Sequence, residues 1–166
     1  MLEVLNQQYD YIRSTRQTLF AFLEGIPLRK LHETVPNFGV TSIIRTHIHV
    51  ADSYLGWLGK FALKQTNFKF TTDNDIEHYD IKKTRGRFDL VDEVVQQFLN
   101  EFNYRWFEKI ANKVKWQEEP LSTTPLWLLT HAETHEFHHK GQIVTMARHL
   151  GYTPPDTDLV LLDSKV

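Results

Sequence analysis

Apolar residues recur along this chain at steps of three and four almost from end to end, the period of helices that bury one face. In the first segment Leu5, Tyr9, Ile12, Leu19, Phe22, Leu23 and Ile26 form one stripe, and Gly25 and Pro27 mark its end. A loop through Val35–Gly39 follows. A second helix is expected to start at Thr41 or Ser42, both good N-caps, and to run to about Gln65. Its stripe is Ile43, Ile44, His47, Val50, Ala51, Tyr54 and Leu58.

Residues 66–88 are polar, contain Asp-Asn-Asp and Arg-Gly-Arg, and read as a long connection that shapes the mouth of a pocket. The third helix is expected to open at Asp89, with Val91, Val94, Phe98, Phe102, Trp106 and Ile110 at steps of three or four. The fourth opens with Thr124 as N-cap and Pro125 at the first helical position. Gly151, Pro154 and Pro155 close it. No internal repeat and no strand is evident. The pattern predicts an all-α fold, a four-helix bundle with a long connection between helices 2 and 3, as a single domain over 1–166.

Composition narrows the function classes. The apolar and charged fractions, 41% and 24%, are those of an ordinary globular domain, and the recurring aromatics are expected in its core. The formal charge is −2 with no Lys/Arg block, which argues against nucleic acid as a partner, because phosphate neutralisation needs a clustered basic surface. There is no cysteine, so disulfides, thiolate metal ligands and cysteine nucleophiles are excluded, and thiol chemistry would require a thiol from solution. The N-terminus lacks a basic start and apolar stretch, and no apolar run approaches the roughly 20 residues that span a bilayer. A soluble, cytoplasmic protein with no membrane partner is expected.

Four of the nine histidines lie between His131 and His139, inside the fourth helix. At about 100° per residue, His131, His135 and His139 drift only about 40° per step and share a face. Imidazoles one turn apart can offer two nitrogens to one metal ion, but a site usually takes three protein ligands. His47 and His49 on the second helix are the candidates for the third. His47 sits in the apolar stripe, whereas His49 shares its side with Ser42, Thr46, Ser53 and Gly56. Local pattern leaves that choice open. His32 and His78 carry no ligand pattern and are expected at the surface, while His149 suits a helix C-terminus when protonated. His135-Glu136-Phe137-His138-His139 satisfies the H-E-x-x-H motif of zinc proteases. The downstream third ligand is missing: no glutamate follows Glu136, and His149 lacks the required spacing.

The stretches Thr134–Ile143, Ser42–Gly59 and Arg148–Asp156 together resemble the DinB-like family, nearly end to end, with the histidine-Gly-Gln motif as the most specific part. The resemblance implies a commonly dimeric four-helix bundle with a divalent metal, often nickel or zinc, on three histidines. The family's histidine on the second helix lies seven residues after a serine and eight before a tryptophan, and Ser42 and Trp57 therefore place it at His49. The implied ligands are His49, His135 and His139. His131 and His138 become neighbours of the site, Gly141 a position of close helix packing, and Gln142 a hydrogen-bond partner near the ligands. Characterised relatives include thiol-dependent S-transferases that use bacillithiol, mycothiol or glutathione, and an isomerase. The expected activity is metal-dependent thiol S-transfer or hydrolysis on a small-molecule substrate, by a homodimer. Glu136, about 100° around the helix from His135, is a weak candidate for a base. The alternative is a non-enzymatic metal-binding or stress-response protein whose ion staples two helices.

Overall fold

The computed structural model describes residues 1–38 and 41–159, so Gly39 of the expected 35–39 loop lies outside them. The chain is mainly helical. Four long helices carry most of it: α1 (Leu2–Glu24), α3 (Ile43–Tyr54), α5 (Ile81–Glu101) and α6 (Pro125–His149). Two single turns, α2 (Leu28–Leu31) and α4 (Asp73–Ile76), lie in the connections. Helix α3 packs against both α5 and α6, and α1 packs against α5. Among the described residues no helix is long and apolar enough to cross a membrane.

The helix ends follow from local chemistry. Ser42 caps α3 by accepting from the Arg45 amide, and Thr124 caps α6 by accepting from the Trp127 amide. At the other end of α6, Gly151 takes φ of 91°, its amide reaches the Arg148 carbonyl, and the Tyr152 amide reaches Ala147. This pair of bonds is a Schellman ending, which needs a residue tolerant of the left-handed region.

Helix α3 does not end at Tyr54. It continues as a π-helical segment over Leu55–Ala62, with the Leu63 amide bonded to the Leu58 carbonyl at 3.0 Å. Such wide turns are rare and cluster at functional sites. Gly59 leaves room for the Phe68 ring on this segment: a Cβ there would lie 2.8 Å from that ring.

Two expectations are corrected. Helix α5 begins at Ile81, not Asp89, with Asp80 as N-cap accepting from the Lys83 amide. Thr84 and Phe88 extend the buried stripe of Val91 and Val95 backward, and one interior glycine, Gly86, is too small a penalty to break the helix. Nor does α5 reach Ile110. It stops at Glu101, and Ile110 enters a short antiparallel ribbon, β1 (Ile110–Asn112) with β2 (Leu121–Thr123), where no strand was expected. Trp106 still enters the core from the intervening turns.

Candidate metal centre

Helices α3 and α6 bring His49, His135 and His139 together. One ring nitrogen from each lies within 4.8 Å of the other two. The Nε2 atoms of His49 and His135 are 3.1 Å apart. Two nitrogens bound tetrahedrally to zinc at 2.0–2.1 Å would be about 3.3 Å apart, so this pair already has nearly the right separation. The ring centroids are 4.4 Å apart for His135 and His139, 4.8 Å for His49 and His139, and 5.0 Å for His49 and His135.

Neighbouring side chains hold two of these rings. His139 donates its Nδ1–H to Gln142 Oε1 at 2.7 Å, and the Gln142 amide nitrogen donates to His138 Nε2 at 3.2 Å. That chain places the His139 proton on Nδ1 and leaves Nε2 as the free acceptor. Ser53, one turn beyond His49, sets its Oγ 3.1 Å from His135 Nε2. His131 stacks on Trp127 at 4.9 Å with an interplanar angle of 6°, and stacks on His135 at 5.8 Å. Trp57 meets the His131 ring edge-on at 5.2 Å.

Protons are disfavoured throughout the cluster. Partial burial, and then the adjoining imidazoles of His139 and His49, push His135 down to about 4. Burial also lowers His49, against the pull of Asp52, and lowers His139, against its bond to Gln142. Neutral imidazoles with free lone pairs are the form a cation requires. The donor set therefore fits a borderline divalent ion that favours nitrogen.

The other sequence candidates go elsewhere. His47 faces inward, 3% exposed, against Phe20 and Phe88. Burial and the nearby Arg16 and Lys140 charges drive it down to about 3, so it is a neutral core histidine. Glu136 also turns away from the cluster. Its carboxylate accepts two bonds from Arg16, at 2.7 and 2.9 Å, and one from Tyr54 at 2.8 Å. This acid is committed to the core, and the H-E-x-x-H match is a coincidence of spacing. Gly141 is not a point of close packing, because a Cβ there would meet nothing within 4 Å among the described residues. His78 is at the surface as expected, whereas His32 is half-buried and bonded to the Tyr79 carbonyl at 2.8 Å.

Two cavities flank the cluster. One, of about 460 Å³, is lined by His49, His139 and Gln142 together with Arg45 and Thr71. The other, of about 580 Å³, opens beside Ser53 and Trp57. Asp52 lies on both, and its carboxylate is held by Arg87 and by the Thr71 amide. The 66–88 connection does border them, through Thr71 and Ile76 on one side and Thr66 and Phe70 on the other. Sequence reasoning missed Ser53 as a neighbour of His135, although its spacing of four from His49 put it on the same helix face.

The family model described as DinB family matches residues 1–165. The chain is also similar to Protein DinB of Bacillus subtilis (strain 168), with 24% identity over 155 residues, covering 90% of this chain and 88% of that one.

Proposed function

The chain belongs to the DinB family, and from that premise we propose that it is a divalent-metal protein whose ion is held by His49, His135 and His139. The observation that carries this reading is the convergence of three imidazoles from two helices, with the His139 proton parked on Nδ1 by Gln142. Nickel or zinc fits an all-imidazole donor set. Bound there, such an ion would supply Lewis acidity and lower the pKa of a thiol or water beside it.

The surrounding residues support small-molecule chemistry. Ser53 reaches His135 from the side of the larger cavity and is placed to orient a reacting group by hydrogen bonding. Trp57 lines that cavity and packs edge-on against His131, which stacks on His135. The chain has no cysteine, so any thiol comes from another molecule, and we read it as a small one. We read the activity as transfer of such a thiol to a small electrophile, with hydrolysis as the neighbouring possibility. On the same reading, residues 1–166 are one domain, the four long helices form a four-helix bundle, and the protein acts as a cytoplasmic homodimer.

The test is thiol conjugation by nickel- or zinc-loaded protein, followed as loss of free glutathione or bacillithiol against an aromatic chloride. His135→Ala should abolish the rate, while His78→Ala, at an exposed histidine outside the cluster, should retain it. Conjugation that survives His135→Ala would end the proposal. In the cobalt-substituted protein, thiol or azide should perturb the visible spectrum. A spectrum indifferent to both would make the ion a staple between α3 and α6.

A further inference from the structure

The larger cavity has a distinctive wall and rim. Trp57 and Phe61 from the π-helical segment, Phe70 from the following connection and Trp116 from the β1–β2 turn form an apolar wall. Trp57 and Trp116 meet edge to face at 5.7 Å, yet Trp116 remains 65% exposed and Phe70 40% exposed. Large aromatics left open around a hollow, instead of being folded into the core, mark a ligand-binding surface.

The rim is cationic. Lys60, Lys64, Lys113 and Lys115 all border this cavity, and all four are exposed. The only lysine ion pair among the described residues is Lys30 with Glu33, far from this rim. Among the described residues the one carboxylate on the cavity wall is Asp52, and Arg87 pairs with it. Lys60 lies over the Phe70 ring at 5.3 Å, and none of the four makes an ion pair among the described residues. In a chain whose overall charge is −2, they form a local field of opposite sign around one apolar hollow. Like charges gathered this way repel one another, and an anion among them relieves the repulsion.

We propose that this cavity binds an organic anion: a carboxylate, sulfonate or phosphate at the lysine rim, carried on an aromatic or branched apolar body that packs on Trp57 and Trp116. Ser53 also lines the cavity, and its Oγ is 3.1 Å from His135 Nε2. A molecule anchored by its acid group at the rim therefore extends its apolar end toward the histidine cluster. The assignment names the substrate class of the proposed metal site and rests on that reading only for the chemistry, not for the binding.

The experiment uses two fluorescent probes that share one ring system. 1-Anilinonaphthalene-8-sulfonate carries the anion, and N-phenyl-1-naphthylamine lacks it. Titrated into the full chain, the sulfonate should bind at least tenfold more tightly than the neutral probe, and added salt should weaken that preference. Replacing all four lysines with glutamine, changes confined to exposed side chains, should erase it. Gly56→Leu should abolish binding of both probes, because a Cβ at Gly56 meets Phe70 at an ordinary 3.5 Å and the rest of the side chain fills the hollow. Equal binding of the two probes, a preference that survives the lysine changes, or unaltered binding in Gly56→Leu would each overturn the proposal. His49→Ala separates the two readings: it should lose metal and keep sulfonate binding.

Discussion

Replacing Glu136 with alanine separates a catalytic glutamate from a structural one. In the folded protein its carboxylate takes both Nε and Nη2 of Arg16, and the Arg16 side chain is only 1% exposed. Arg16 also donates to Asp92 at 2.8 Å, and Phe88 lies 4.5 Å beneath the guanidinium. Removing Glu136 leaves this buried cation with one partly exposed carboxylate, and leaves the Tyr54 hydroxyl without its acceptor. Breaking a buried pair on one side is worth about 3–5 kcal/mol. For a domain of this length each kcal/mol moves Tm by about 2–4 °C, so the melting point should fall by roughly 6–20 °C. Urea unfolding followed by circular dichroism measures the loss. Glu136→Gln keeps the shape and should retain full metal stoichiometry in the folded protein. Arg16→Met combined with Glu136→Ala should cost less than the two single changes added together, because no lone charge stays buried. A Glu136→Ala protein within about 1 kcal/mol of wild type would refute the structural assignment, as would a folded Glu136→Gln protein without metal.

Three further outcomes are expected. Gln142→Ala removes the acceptor that fixes His139 and should weaken nickel or zinc binding about 10- to 100-fold, measured by competition with a chromogenic chelator. His47, held at about 3 by burial, is neutral in the folded state and protonates near 6.5 when unfolded. The unfolded chain therefore binds more protons between those values. Stability should decline as pH falls from about 6.5 toward 3, and His47→Phe should flatten part of that slope in urea titrations across pH. Gly59→Val should displace Phe68, with a loss of about 1–3 kcal/mol in the same assay. An unchanged midpoint would remove the packing account of the π-helical turn.

The parts of this molecule that could be read from the sequence are those governed by neighbours in the chain. Thr124, Pro125 and Gly151 bracket α6 because caps act within a turn, and Ser42 starts α3 for the same reason. The shared face of His135 and His139 follows from helical geometry alone. Periodicity did not separate His47 from His49, since a neutral histidine packs as well in an apolar stripe as beside one. The resemblance favoured His49, and the fold brings that residue to the cluster.

What could not be read depends on partners distant in the chain. Nothing in the local pattern singles out Arg16, because its partner Glu136 lies 120 positions away. The three-residue strands carry too little alternation to register, and the cavity they help to close needs α3, the 63–72 connection and the β1–β2 turn together. Phe70 and Trp116, which lie outside the helical stripes, stay exposed on that cavity.

The central claim is that His49, His135 and His139 hold one divalent ion. Elemental analysis of untagged protein after incubation with nickel or zinc tests it most directly, with His49→Ala and His47→Ala in parallel. One ion per chain is expected in the wild type, retained in His47→Ala and lost in His49→Ala. A wild-type protein without bound metal, or a His49→Ala protein that keeps its full complement, would contradict it.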